Sequence, residues 1–87
     1  MYKNYYSLDS KEDLNKLEDK KRKQIILKIK QLSFPFVGSL NIKKLTGLNN
    51  FYRIRIGKIR IIFQVDHEYK RIIIRKIGYR KDIYRSF

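Results

Sequence analysis

Apolar and basic residues alternate through Tyr52-Arg53-Ile54-Arg55-Ile56-Gly57-Lys58-Ile59-Arg60-Ile61-Ile62-Phe63, with the pattern first interrupted at Gly57-Lys58. Successive side chains of a strand point to opposite faces, so the run predicts two strands. Gly at the first position of a two-residue link suits a type II′ hairpin turn. Such a turn sets Ile56 opposite Ile59, Arg55 opposite Arg60, Ile54 opposite Ile61 and Tyr52 opposite Phe63. One face is then aliphatic and aromatic. The other carries Arg53, Arg55 and Arg60. Like charges directly opposite each other on a sheet are destabilising, so Arg55 against Arg60 predicts an anion at this face.

The same pattern reading extends along the chain. Residues 2–8 read as a first strand with Tyr2, Tyr6 and Leu8 on one face. Asp9 followed three residues later by Glu12 has the form of a capping box and marks a helix start. Leu14 and Leu17, then Ile25, Ile26, Ile29 and Leu32, follow helical spacing in two groups. The polar stretch between them predicts two packed helices, roughly 10–18 and 20–32. Pro35 and Gly38 mark residues 33–40 as a connector. Residues 41–48 lead to a turn at Asn49-Asn50. The hairpin strands follow at about 51–56 and 59–65, then a turn at Asp66-His67-Glu68, then a strand over 70–77. The expected register there puts Phe63 opposite Ile72 and Ile61 opposite Ile74, so that Arg71, Ile73 and Arg75 join the basic face. Gly78 ends that strand, and the tail folds back as a helical turn. The predicted class is α+β: a mainly antiparallel sheet in the order β-α-α-β-β-β with two packed helices, as one domain over residues 1–87.

Composition changes this picture in one respect, the charge. The chain has 22 Lys and Arg against 8 Asp and Glu, a net charge of +14. Residues 1–36 hold 9 basic and 5 acidic side chains; residues 37–87 hold 13 and 3. The hairpin half therefore carries the binding surface, and its expected ligand is a polyanion such as nucleic acid. The absence of cysteine excludes a disulfide framework and a thiolate metal site. A single histidine, His67, cannot form a His pair, and in a turn it is not expected to be catalytic. Asp66 and Glu68, also turn residues, do not form an acid–base pair. No cofactor and no metal site are expected. No apolar run approaches the roughly 18 residues of a membrane span and no signal peptide is visible, which predicts a cytoplasmic protein without a membrane partner.

Three motifs now come together: Lys44-Leu45-Thr46-Gly47, the basic hairpin of residues 52–60, and the tail Gly78-Tyr79-Arg80-Lys81-Asp82-Ile83-Tyr84. With the element order they resemble the RelE branch of the RelE/ParE superfamily, toxins of type II toxin–antitoxin modules. The most specific motif is Arg80 and Tyr84 spaced by three residues after a strand-ending Gly, and the resemblance covers nearly the whole chain. It implies a RelE-like sheet backed by two helices. It implies an endoribonuclease that cuts messenger RNA in the ribosomal A site, and a cognate antitoxin that binds and silences it in a hetero-oligomer. On this resemblance Arg60, Arg80 and Tyr84 are the catalytic set and Arg53 and Arg55 match its basic strand positions; together with Lys44 and Arg75, Arg53 and Arg55 are the expected RNA-binding residues. The family often has lysines where this chain has Arg53 and Arg55, and often a basic residue at the place of Thr46. The first departure matters, because an arginine does not deprotonate in a protein and cannot serve as a general base.

The chemistry follows from these residue types. RNA is cut when its 2′-OH attacks the neighbouring phosphate. The enzyme must accept that proton, stabilise a phosphorane-like dianion and protonate the leaving 5′-oxygen. Arginine forks suit the second task, which falls to Arg60 and Arg80. Tyr84 is the candidate for proton transfer, with flanking guanidiniums favouring its phenolate; its ring can also stack on a base. No acidic cluster suited to Mg²⁺ is present, so cleavage is expected to be metal-independent. Two other readings remain open at this point: a non-catalytic basic RNA- or ribosome-binding module, and a ParE-like inhibitor of DNA gyrase. Mere binding does not need the Arg80 and Tyr84 pair, and the ParE branch lacks the full catalytic set.

Overall fold

The computed structural model describes the backbone of residues 1–86 and the side chains of residues 1–83. The elements run β1 (Lys3–Tyr6), α1 (Leu8–Asn15), α2 (Asp19–Lys30), β2 (Ile42–Lys44), β3 (Phe51–Ile56), β4 (Ile59–Asp66), β5 (Arg71–Tyr79) and α3 (Arg80–Ser86). The five strands form one sheet in the order β1-β5-β4-β3-β2. Only β1 and β5 are parallel; the other pairs are antiparallel. The α+β class with a mainly antiparallel sheet and two packed helices is therefore observed. Two elements are added to the expected order: the short strand β2 and the full helix α3.

The central hairpin has the predicted register, with Ile56 opposite Ile59, Arg55 opposite Arg60, Ile54 opposite Ile61 and Tyr52 opposite Phe63. Gly57 has φ +58°, while Lys58 stays at negative φ, the pattern of a type II′ turn. A side chain at position 57 would be strained in that conformation.

The next pairing differs from expectation. Phe63 lies opposite Ile74 and Val65 opposite Ile72, with Asp66 facing Arg71 across a four-residue loop. Lys70 closes that loop at φ +53°. A β-bulge follows at Ile62/Phe63, so Ile61 faces Ile77 rather than Ile74. The extra residue is Arg75, and the shift carries Lys76 opposite Ile62 and Gly78 opposite Arg60. Bulges of this kind re-aim the strand that follows.

The helix starts also differ. Ser7, not Asp9, caps α1: its Oγ accepts from Ser10 N at 3.1 Å. β1 ends at Tyr6, Ser7 N makes one further bond to Ile74 O, and Leu8 is an exposed first-turn residue rather than a strand position. The predicted break between α1 and α2 is present, with Glu18 at the start of α2.

The core lies between the sheet and these two helices. Leu14, Leu17, Ile25, Ile29 and Leu32 meet Ile54, Ile61, Phe63, Val65, Ile72, Ile74 and Ile77. Each isoleucine removed from water in this way contributes about 1.5–3 kcal/mol. Asn4 ties β1 to α2 by donating to Ile29 O and Leu32 O. Phe36 from the connector packs edge-on against Tyr52 and Phe63 and closes one end of the core. Ile62 and Ile83 are also buried but stand outside this cluster. Ile62 projects to the opposite face, and Ile83 lies in contact range of the position a Cβ would take on Gly78. Helix α3 thus rests on the face of the sheet away from α1 and α2. Among the described residues no helix is long and apolar enough to cross a membrane.

Candidate nucleic-acid interface

A cleft of about 790 Å³ opens between the hairpin turn and the start of α3. Gly57, Lys58, Arg60, Tyr79, Arg80 and Lys81 line it. Two local features build it. The tight turn at Gly57 brings Lys58 and Arg60 to the end of the sheet, and Arg80 N donates to Lys58 O at 3.0 Å. That bond pins the first residue of α3 beside the turn. Ile83 of α3 packs over Gly78 at van der Waals distance from where a Cβ would stand.

Arg60 is only 7% exposed. Its Nη1 donates to Gly57 O at 2.8 Å and to Ile59 O at 3.3 Å. Its buried Nε has no hydrogen-bond partner among the described residues, and a buried donor left unpaired costs free energy. The predicted open row of Arg53, Arg55 and Arg60 is therefore not what forms. Arg55 is exposed and turned toward β2, where the Asn41 amide oxygen, correctly oriented, accepts from its Nε and Nη2 at 3.2 Å each. The two facing guanidiniums take different partners, which relieves the repulsion without an anion between them. Arg53 is half-buried on the same face as Arg60, opposite Ile62 and Lys43.

The remaining predicted residues are dispersed. Arg80 is exposed at the cleft. Arg75 sits at the bulge with Nε and Nη2 on Gln64 Oε1 at 3.2 and 2.7 Å. Lys44 lies opposite Tyr52, on the other face of the sheet from Arg53, and lines a separate depression with Thr46 and Gly47. Tyr84 belongs to α3, but its side chain lies outside the described residues. The cleft thus joins Arg60 and Arg80 and leaves Lys44 and Arg75 elsewhere. Lys58 and Lys81 were not singled out from the sequence. The signals for them were adjacency: one is the second turn residue, the other follows Arg80.

At the far end of β4 the charges are matched. Arg71 Nε and Nη2 both donate to Asp66 Oδ2, at 3.2 and 2.6 Å. That contact first, and then the Tyr69 amide, hold the Asp66 carboxyl below the usual carboxylate range. His67 bonds Tyr2 Oη through Nδ1 at 2.7 Å and packs edge-on against Phe34. Among the described residues, no three His, Asp or Glu side chains are grouped to hold a metal ion.

Comparisons with known proteins agree with this architecture. The family described as ParE toxin of type II toxin-antitoxin system, parDE, matches residues 5–84. Toxin RelE3 of Methanocaldococcus jannaschii is 46% identical over 48 residues, a match spanning 55% of this chain and 52% of that protein. RelE1 of the same organism is 39% identical over 67 residues, covering 77% of this chain and 73% of the relative. Among solved structures, the RelB–RelE antitoxin–toxin complex from Methanococcus jannaschii superposes with a TM-score of 0.80 at 33% identity, over 95% of this chain and 98% of that one. The chain therefore belongs to the RelE/ParE family of type II toxin–antitoxin proteins and is a toxin of the RelE type.

Proposed function

We propose that the protein is a ribosome-dependent endoribonuclease that cuts messenger RNA in the A site. The observation that carries this reading is the cleft at Gly57. It gathers Arg60, Arg80, Lys58 and Lys81 with no acidic side chain among the described residues that line it. Such a site suits a phosphate that gains negative charge during reaction. The 2′-oxygen bonds to phosphorus, the bond from phosphorus to the 5′-oxygen breaks, and the products are a 2′,3′-cyclic phosphate and a 5′-OH. Arg60 and Arg80 stabilise the dianionic intermediate. Tyr84 moves the proton, since neither Arg53 nor Arg55 can. Arg53 and Arg55 hold the RNA backbone, with Lys44 and Arg75 as outlying contacts. No residue in this scheme requires a metal.

The partner in the cell is a cognate antitoxin, and the solved relative in complex with RelB supports this. An acidic chain that covers the cleft would complement its charge. The cytoplasm, where ribosomes and messenger meet, is the proposed location. The ParE description of the matched family favours a second reading, inhibition of DNA gyrase.

The test is cleavage of messenger on ribosomes stalled at a defined codon, in parallel with a gyrase supercoiling assay. Tyr84→Phe keeps the ring and removes the hydroxyl. The cleavage rate is expected to fall about 10²–10⁴-fold, the usual contribution of a positioned acid–base group, with ribosome binding unchanged. Full activity in Tyr84→Phe removes the tyrosine from the mechanism. Gyrase inhibition without messenger cleavage favours the second reading.

A further inference from the structure

Strand β1 accompanies β5 only as far as Tyr6 opposite Ile74. Beyond that point the β1 side of β5 has no neighbouring strand. Side chains from the start of the chain continue the ladder instead. Ser7 Oγ donates to Arg75 O at 3.2 Å, and Asp13 Oδ2, from the second turn of α1, accepts from Ile77 N at 2.9 Å. Asp13 is 8% exposed, and its other oxygen lies 3.5 Å from Lys76 Nζ. A buried carboxylate is a costly way to fill space unless its hydrogen bonds are made, and here one oxygen meets a backbone amide and the other meets a cation.

Ile77 is three residues before Arg80. Only Gly78 and Tyr79 intervene, and both are still paired with β4, opposite Arg60 and Ile59. Beyond the strand, Arg80 N is bonded to Lys58 O. The segment that delivers Arg80 to the cleft is thus held by β4 on one side, by Asp13 on the side that has no neighbouring strand, and by Lys58 at its end. The bulge at Ile62/Phe63 lies just before this segment and changes which residues of β5 face the helices.

We infer that Asp13 is a positioning residue for the cleft: its buried carboxylate fixes the end of β5 and so sets where Arg80 stands relative to Arg60. The inference rests on the proposed nuclease reading for its consequence in cleavage, and its structural part can be measured without any activity.

The experiment uses the full chain with Asp13→Asn, Asp13→Glu and Asp13→Ala. Asn keeps an oxygen in place for Ile77 N–H and gives up the charge. Glu keeps the charge and moves the acceptor by one methylene. Amide hydrogen exchange is followed at Ile77 and Arg80, with Ile54 and Phe63 as references. In Asp13→Ala the protection of Ile77 and Arg80 is expected to fall at least about tenfold while the references hold, as for local opening. On stalled ribosomes Asp13→Glu is expected to lose about 10²-fold in kcat with KM unchanged, the effect of a misplaced group, whereas Asp13→Asn stays close to the unmodified protein. In an Arg80→Ala background the Asp13→Glu loss disappears, because there is nothing left to position. Unchanged Arg80 exchange in Asp13→Ala overturns the inference. So does the reverse order of variants, with Glu active and Asn inactive, which assigns Asp13 a charge role only. If the unmodified protein cuts nothing, the nuclease reading fails and the exchange data still decide the positioning role. Should Asp13→Ala not fold, exchange at Arg80 in Asp13→Glu takes its place, with the same expected loss.

Discussion

The two ends of β4 use similar residues and balance them differently. At the Asp66 end, Arg71 is answered by a carboxylate, the Tyr69 amide reaches the same side chain, and His67 is tied to Tyr2. At the Gly57 end, Lys58, Arg60, Arg80 and Lys81 meet around a cleft with no carboxylate among the described residues that line it. Arg60 donates to carbonyl oxygens of its own turn. The difference separates a cation that holds a loop closed from cations that meet no carboxylate among the described residues. Net charge alone does not make that distinction, since both ends contribute to it.

The largest expected effect comes from making the cleft resemble the other end. Lys81→Glu replaces one of the four cations with an acid. Cleavage on programmed ribosomes is expected to fall by about 10²–10³-fold, comparable to loss of one transition-state donor. Thermal stability is expected to shift little, within about 0.5 kcal/mol, because position 81 is exposed. A Lys81→Glu protein that cuts normally would show that the acid-free lining is incidental.

A smaller effect follows from the anchoring of Arg60. Its register opposite Arg55 suggests that removing it relieves repulsion. The structure reverses that expectation, because Arg60 is buried and donates to two turn carbonyls while Arg55 turns to Asn41. Arg60→Ala is expected to cost about 1–2 kcal/mol, the worth of its hydrogen bonds, in chemical denaturation. Unchanged or increased stability would mean that the facing guanidiniums do repel.

The smallest effect is at the Asp66 end and depends on pH. The Asp66 carboxyl is held below its ordinary value by the Arg71 contact. A lowered folded-state value means the contribution is fully present above the unfolded value, near pH ~3.9, and is lost as pH falls through the folded one. Melting temperature is expected to drop with acidification in that window, and Asp66→Asn is expected to flatten that part of the profile. Identical acid profiles for the two proteins would argue against the contact.

The central hairpin was fully legible because strict alternation and one glycine fix its register. The α1/α2 break was legible from the two groups of apolar positions. The pairing of β4 with β5 was not. Adjacent Arg75 and Lys76, between Ile74 and Ile77, interrupt the period of two, and that interruption is the trace of the bulge. The strand β2 was missed because Ile42-Lys43-Lys44 is too short to show a period. Ser7 won the cap from Asp9 because the strand stops at Tyr6, a boundary set by pairing with β5. Of the residues lining the candidate cleft, Arg60 and Arg80 were picked out through the resemblance of the hairpin and tail motifs, and Lys58 and Lys81 only through the fold. Asp13 left no signal, since a single acid on a helix reads as a solvated residue until the strand edge it serves is seen.

The most direct test sets one arginine from each end side by side. Arg80→Ala and Arg71→Ala are compared for cleavage rate per folded molecule on ribosomes stalled at one codon. Arg80→Ala is expected to lose about 10²–10³-fold while melting as the unmodified protein does. Arg71→Ala is expected to cut at nearly the normal rate and to melt lower, because it leaves Asp66 without its partner. The opposite outcome, with cleavage lost in Arg71→Ala and kept in Arg80→Ala, would contradict the assignment of the Gly57 end as the nucleic-acid site.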